Sequence, residues 1–406
     1  MFDFDHAAPI EGWGSLKNFM TPAGFREKNI PTFAAAEMDF RTAPSVIEAV
    51  TRAAQSGVYG FTIPDDRYFE AVRWWMREVR GWEIEKDWIV PTLGTIYSVA
   101  MAIRMCCRPG IEAGRMIVQR PVYFRYEQAA RRMGIETVSS DLVLWDDRYF
   151  MDLADLEEKM ADPQNKLLVI CNAHNPVGKV WTEAELREVA KLSARYQVPV
   201  LSDEIFGELA FGGHRVTPYA SIEEGRALTM TITSLGKAFN FTGVNHANVI
   251  IPDEDLRQRF VQQKYADHYG SMGIFEYASV LGAYCPDGRD WFYAARSYIE
   301  ENANMVTRFF ESEVPEGYLF PVEGTTVGWI DFSALGLKGE ALTDFLREKA
   351  LLDVESGIDY DEKCASFIRM NLSSTRKSLT DALSRLRKAA AENRSKEQQV
   401  TEGGHR

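Results

Sequence analysis

The chain has 406 residues, of which 46% are hydrophobic and 26% are charged, a composition typical of globular proteins with more than one domain. Its formal net charge of -13 argues against nucleic acids and anionic membranes as partners, because both repel an acidic protein that lacks a basic patch. The sequence has no apolar run of the about 18 residues that a membrane-spanning helix needs, and its first residues do not resemble a signal peptide.

Cysteine and histidine usage points to a cytoplasmic protein without a metal centre. The cysteines number 5, an odd count, and they form no C-x-x-C motif, which favours reduced thiols over disulfides or a zinc site. The histidines are far apart in the sequence and form no H-E-x-x-H motif. We therefore expect a cytoplasmic protein with no bound metal.

In chain order, residues 1–45 lack clear periodicity and are predicted to form an arm that packs with another part of the protein. A helix is predicted over 44–57, because Pro44 suits the first turn and Gly57 suits the end of a helix. A second helix is predicted over 65–81.

Between about residues 90 and 250, short apolar runs alternate with amphipathic helices, one of which begins with the capping box of Thr182 and Glu185. The runs predicted as buried strands are 115–119, 166–172, 198–202 and 228–233. Strands without polar alternation, separated by helices, predict a parallel sheet with both faces covered. Active sites of such sheets lie beyond the carboxyl ends of the strands.

The pattern changes after about residue 286 to a long helix, strand-like runs and a final helix. We therefore predict an α/β protein with a large domain over 46–285 and a smaller α+β domain over 286–395, with which the arm packs. Residues 396–406 are polar apart from Val400 and are predicted to be a disordered tail.

Polar residues follow the predicted strands at their carboxyl ends. Asn175 lies in the run NPVG after 166–172, Asp203 lies in SDEIF after 198–202, and Lys237 lies in TSLGKAFN after 228–233. An aspartate and a lysine at neighbouring strand ends suit a ligand that needs an anion and an amine.

These motifs resemble those of the fold-type I enzymes dependent on pyridoxal 5′-phosphate (PLP), the aspartate aminotransferase superfamily. Further runs, among them EMDF, VWTEAEL and FIRMNLSSTR, resemble the MalY/PatB group of cystathionine β-lyase-like C–S lyases over nearly the whole chain. The resemblance implies the PLP-dependent transferase fold, with a mostly parallel sheet in the large domain. It also implies an amino-acid substrate and a homodimer.

The resemblance assigns the catalytic roles to three residues. Lys237 matches the lysine that attaches PLP as a Schiff base and takes the proton from Cα of the substrate. Asp203 matches the carboxylate that keeps the pyridine nitrogen protonated. Tyr123 matches the aromatic residue that stacks on the pyridine ring. The alternatives are a solvated loop lysine, a helix cap and a core tyrosine.

The resemblance also assigns binding roles to residues outside this catalytic set. Asn175 matches a donor to the ring hydroxyl and contacts the substrate, and Arg369 matches the arginine that clamps the substrate carboxylate, for which its planar fork is suited. A surface salt bridge is the alternative for Arg369.

The cofactor phosphate is assigned to a helix start. Gly94, Thr95 and Ile96 open a helix whose backbone N–H groups and dipole favour an anion, and the hydroxyl of Ser234 adds a donor. A plain helix start is the alternative.

The sequence departs from the family around the cofactor. Phe61 and Phe206 stand where relatives have polar aromatic residues, Gly236 replaces a phosphate-binding serine or threonine, and Val177 replaces the threonine of NPTG. Phe206 stays among the expected cofactor neighbours. His174 is also unusual, and contact with the substrate and packing in the protein are both open alternatives for it.

Three functions remain open at this point. The first is a C–S β-lyase that releases a thiol, pyruvate and ammonia from an S-substituted amino acid such as cystathionine. The second is an aminotransferase of the same fold; the sequence has no obvious arginine for a second substrate carboxylate, which favours the lyase. The third is a regulatory protein without turnover, against which the intact Lys237, Asp203 and Arg369 argue.

Overall fold

The computed structural model describes residues 2–108, 110–111 and 113–403. The helices are α1 (Leu16–Met20), α2 (Ala23–Glu27), α3 (Pro44–Gln55), α4 (Asp66–Trp75), α5 (Thr95–Cys107), α6 (Arg125–Arg132), α7 (Leu153–Ala161), α8 (Glu183–Tyr196), α9 (Leu235–Ala238), α10 (Glu254–Ala266), α11 (Ile274–Ala283), α12 (Pro286–Ser312), α13 (Glu340–Asp344) and α14 (Arg376–Gly403). The strands are β1 (Ile89–Thr92), β2 (Arg115–Val118), β3 (Thr137–Ser139), β4 (Val143–Trp145), β5 (Arg148–Phe150), β6 (Asn165–Cys171), β7 (Val200–Asp203), β8 (Thr229–Thr233), β9 (Ala247–Ile250), β10 (Tyr318–Leu319), β11 (Val327–Asp331), β12 (Glu355–Ser356) and β13 (Phe367–Asn371).

The larger of two compact units comprises Thr42–Ala294 with Glu323–Thr325. It is built on a seven-stranded sheet in the order β1-β9-β8-β7-β6-β2-β3. The pairs from β3 through β8 are parallel, whereas β9 is antiparallel to both β8 and β1. Because β9 runs against both neighbours, β1 runs in the same direction as β8. The predicted α/β fold with a mostly parallel sheet is confirmed.

Continuous apolar sequence explains the central strands. The four predicted strands correspond to β2, β6, β7 and β8, and their side chains are almost entirely buried. Burial on both faces favours this composition, since helices cover a parallel sheet on each side. Residues of α5 and α6 pack with β2, β6 and β8 in one apolar cluster.

Local signals set the helix ends. In α8 the hydroxyl of Thr182 accepts the N–H of Glu185, whose carboxylate accepts the N–H of Thr182 in return, as predicted. The helix predicted over 65–81 is α4 continued by a π-helical segment, Met76–Arg80, and it stops at Gly81, which has a left-handed backbone.

The smaller unit comprises the described residues of Met1–Arg41, Ala295–Val322 and Thr326–Arg406. Its antiparallel sheet has the order β10-β11-β13-β12. Within this unit, the N-terminal segment is joined to the rest through the backbone of Phe33. The N–H of Phe33 donates to the carbonyl of Asp353, and its carbonyl accepts the N–H of Asn371.

The end of the chain differs from the prediction. Helix α14 continues through Gly403, so residues 396–403, which we expected in a disordered tail, are helical, and 404–406 lie outside the described residues. The two compact units divide within α12, at Ala295, and the domain boundary predicted at 286 stays a prediction. In the part of the chain that the structure describes, every helix is too short or too polar to cross a bilayer.

Candidate active site

Residues that the sequence singled out meet at one edge of the large sheet. Strands β1, β2, β6, β7 and β8 all run in one direction, so their carboxyl ends lie at the same edge. The residues at or just after these ends are Gly94, Tyr123, Asn175, Asp203 and Lys237. This edge is where open α/β sheets bind their ligands.

Asp203 is the last residue of β7 and is only 1% exposed. Its Oδ1 accepts the N–H of Ile205 at 3.2 Å, and its Oδ2 accepts the hydroxyl of Tyr126. Burial raises the pKa of Asp203 to about 6, although these hydrogen bonds and the positive charge of Lys237 act in the opposite direction. The carboxyl group is therefore buried, and it lies within the electrostatic reach of a lysine.

Lys237 lies on the short helix α9, which begins after Ser234 at the end of β8. Its Nζ atom is 5.8 Å from the centre of the Phe206 ring. The side chain is half-buried, and its charge lowers the pKa of Asp203. The structure thus brings together the amine and the carboxylate that the sequence placed at neighbouring strand ends.

Tyr126 is a site residue that our sequence reasoning missed. It lies in α6, is fully buried, and donates its hydroxyl to Asp203. Its ring packs edge-on against Tyr123, with ring centres 5.6 Å apart and planes at 87°. The only available signal was that a buried tyrosine hydroxyl needs a hydrogen-bond partner, and this does not identify Asp203 as that partner.

The segment after β6 is buried and carries Asn175. The backbone N–H of Asn175 lies 3.5 Å from Sγ of Cys171. His174 Nε2 lies 2.9 Å from the carbonyl of Pro121, which can only accept, so Nε2 carries the proton. Burial lowers the pKa of His174 to about 4, and its ring packs edge-on against Trp181. A neutral, packed imidazole that holds two loops together fits these contacts.

Helix α5 begins at a position suited to an anion. Gly94, its N-terminal cap, has φ +114° and provides no side-chain cap. Thr95 and Ile96 form the first turn of the helix. A Cβ placed at Gly94 would meet only the backbone nitrogen of His246, at 3.9 Å. The space beside Gly94 is therefore free of nearby side chains, and it lies at the helix start, where first-turn N–H groups can bind an anion.

Ser234 is engaged within the protein. Its hydroxyl donates to the carbonyl of His246 at 2.8 Å and accepts the N–H of Gly236 at 3.1 Å. Because a hydroxyl has one proton, donation to a phosphate requires this bond to His246 to open.

Arg369 belongs to the smaller unit, on β13, and is buried rather than at the surface. Its Nη2 lies 2.6 Å from Oε2 of Glu355 and donates to the carbonyl of Ala34 at 3.2 Å. The guanidinium carbon lies 5.2 Å from the centre of the Tyr360 ring. These contacts fix the plane of the guanidinium group.

The departures from the family fall in different environments. Phe206 and Val177 are buried, and Phe206 lies beside Lys237. Phe61 is 100% exposed within the described chain. A Cβ at Gly236 would meet Oγ of Ser234 at 3.4 Å, an ordinary contact distance, so a side chain can be accommodated at this position.

Comparison with known proteins identifies the family. The sequence model described as "Aminotransferase class I and II" matches residues 28–386, which is most of the chain, so the protein belongs to this family. Cystathionine beta-lyase PatB of Bacillus subtilis (strain 168) is 31% identical over 355 residues, covering 87% of this chain and 91% of PatB. Protein MalY of Escherichia coli (strain K12) is 27% identical over 382 residues, covering 93% of this chain and 96% of MalY.

A solved structure agrees with these relatives. The crystal structure of cystalysin from Treponema denticola, which contains a pyridoxal 5′-phosphate cofactor, has a TM-score of 0.90 to this chain at 30% identity. It covers 97% of this chain and 99% of its own. The predicted family and fold are confirmed.

Proposed function

We propose that this protein is a PLP-dependent C–S β-lyase that acts on an S-substituted L-amino acid such as cystathionine. The observation that carries the proposal is the placement of Lys237 beside the buried Asp203, at the carboxyl ends of β8 and β7. The choice of reaction is supported by the relatives, since the similarity to PatB, a cystathionine β-lyase, extends over 87% of this chain. An aminotransferase reaction is the alternative.

The residues present fit the cofactor. Asp203 is a buried carboxylate whose hydrogen-bond donors, Tyr126 and Ile205, leave lone pairs for a protonated ring nitrogen. The start of α5 at Gly94 forms an open cradle for the phosphate. In the same unit, Nζ of Lys237 would attach the cofactor, and Tyr123 and Asn175 would contact its ring.

When bound, PLP supplies a ring that accepts the electrons left at Cα after a proton is removed. Nζ of Lys237 would take that proton, and Asp203 would keep the ring nitrogen protonated. A thiolate leaving group on Cβ would need little help from an acid in this chain, because thiols have pKa values near 8.5. Asp203 must be ionised for this role, so activity should fall as pH drops through the range in which it gains a proton.

The test is an assay that separates the two reactions. The pure protein is incubated with PLP and cystathionine, and separately with PLP, an L-amino acid and 2-oxoglutarate. We expect pyruvate and ammonia in equal amounts from cystathionine, and little glutamate from the second mixture. Formation of glutamate without pyruvate would contradict the proposed lyase activity and support the aminotransferase alternative.

Arg369 is proposed to bind the substrate α-carboxylate, and we expect Arg369→Ala to raise KM. The loss of a charge-assisted pair costs about 1.5–3 kcal/mol, or roughly 10- to 150-fold. Arg369→Lys should recover only part of this loss, because a point charge lacks the planar fork. Steady-state kinetics measure the effect.

The matched control for Arg369 is Arg376→Ala, which removes a half-exposed arginine paired with Glu301. Its KM should stay near the wild-type value. An Arg369→Ala enzyme with unchanged KM would exclude the carboxylate clamp.

We further propose a cytoplasmic homodimer. The loop around Phe61 exposes Val58, Tyr59 and Ile63 as well, and an apolar patch of this kind marks an interaction site. All five cysteines are free, as is usual in a reducing compartment. Analytical ultracentrifugation at micromolar concentration should show a dimer, and Phe61→Glu should shift it towards monomer. An active wild-type monomer would contradict this proposal.

A further inference from the structure

A single buried side chain touches two of the residues proposed to contact the cofactor. Tyr126 donates its hydroxyl to Oδ2 of Asp203, and its ring packs edge-on against Tyr123. Tyr126 itself lies in α6, beneath these residues in the apolar cluster of the large sheet. Tyr126 thus contacts both Asp203 and Tyr123 from within the protein core.

We propose that Tyr126 is a positioning residue: its hydroxyl stabilises the ionised form of Asp203, and its ring orients Tyr123. The inference rests on the proposed function only in assigning Asp203 to the ring nitrogen of PLP. The hydrogen bond between the two side chains is a property of the protein alone.

The surroundings of Asp203 explain why such a donor is needed. Burial is the largest influence on its carboxyl group and favours the neutral form. The negative charge of Glu204, the next residue in the chain, acts in the same direction, whereas Lys237 on α9 opposes both. Cys171 on β6 is opposite Asp203 in the sheet register, and burial raises its pKa to about 12, so it stays neutral.

Tyr126 is suited to this task because it keeps its proton. Burial raises the pKa of Tyr126 well above its ordinary value, and the nearby Asp203 adds to the effect. The hydroxyl therefore donates at every pH at which the enzyme would work. Such a donor favours the carboxylate over the carboxylic acid.

The first experiment titrates Asp203 in the cofactor-free protein. Protein labelled with ¹³C at the aspartate carboxyl carbons is titrated by NMR, and Asp203→Asn identifies the signal of Asp203. Tyr126→Phe should raise the midpoint by about one pH unit, which is the shift expected for one hydrogen bond. Tyr219→Phe is the matched control, because Tyr219 is also buried but its hydroxyl has no partner among the described residues. An unchanged midpoint in Tyr126→Phe would overturn the proposal.

The second experiment measures binding of 4-deoxypyridoxine 5′-phosphate, an analogue that cannot attach to Lys237. For a one-unit shift, Tyr126→Phe should weaken binding about threefold relative to wild type near pH 6.5, and the difference should vanish near pH 8.5, where Asp203 is ionised in both proteins. Equal weakening at both pH values would indicate packing alone and overturn the electrostatic role. If Asp203→Asn binds the analogue as well as wild type does, the assigned role of Asp203 fails, whereas the titration still decides whether Tyr126 acts on it.

Discussion

Lys237→Ala is expected to abolish covalent attachment of PLP and to lower kcat by roughly 10³-fold or more. The variant loses both the amine that attaches the cofactor and the base that takes the Cα proton, and positioned bases alone contribute about 10²- to 10⁴-fold. Reduction with borohydride, digestion and mass spectrometry locate the attached cofactor. In the wild type it should be found on the peptide that contains Lys237.

A second lysine in the same unit supplies the control. Lys264 on α10 is partly buried, and burial lowers its pKa, so we use it as the competing candidate for the amine that attaches PLP. Lys264→Ala should keep both the attached cofactor and the activity. Partial rescue of Lys237→Ala by added ethylamine would separate loss of the base from misfolding. Undiminished turnover by Lys237→Ala would exclude the mechanism.

The sequence was most informative where one physical cause dominates. Continuous apolar runs predicted β2, β6, β7 and β8 to within about two residues, because burial on both faces leaves little choice of composition. The polar residues after these strands were predicted to share one edge, since parallel strands end on the same side. Asp203 and Lys237 lie close enough to interact.

Contacts between distant elements were not predictable from local patterns. The hydrogen bond from Tyr126 to Asp203 joins a helix to a strand end 77 residues away, and nothing in α6 encodes its partner. The reversed direction of β9 was also missed, because a buried strand has the same apolar composition in either direction. Likewise, the sequence suggested a substrate clamp at Arg369 but not its ion pair with Glu355.

A buried ion cluster next to Asp203 was also missed, because a glutamate in a loop is usually solvated. Nη2 of Arg80 lies 2.5 Å from Oε2 of Glu204, and its Nη1 lies 3.8 Å from Oε1 of Glu208. Side-chain exposure is 1% or less for all three residues. Glu204 also accepts hydrogen bonds from the hydroxyl of Ser202 and the N–H of Tyr219.

This cluster leads to the largest expected effect on stability, from Arg80→Met. Breaking a buried ion pair by removing one partner costs about 3–5 kcal/mol, because the remaining charge is left in a medium that solvates it poorly. Here Glu204 and Glu208 would both lose their cation. We therefore expect the urea midpoint of the cofactor-free protein, followed by tryptophan fluorescence, to fall sharply.

The matched control is Arg77→Met, in the same π-helical segment, where the arginine is half-exposed and pairs with its neighbour Glu78. This change should alter stability by no more than about 0.5 kcal/mol. The triple variant of Arg80→Met with Glu204→Gln and Glu208→Gln should recover much of the loss, because the uncompensated charges are gone. If Arg80→Met unfolds at the same urea concentration as wild type, the cluster does not depend on its cation, and Glu204 must be stabilised by Ser202 and Tyr219 alone.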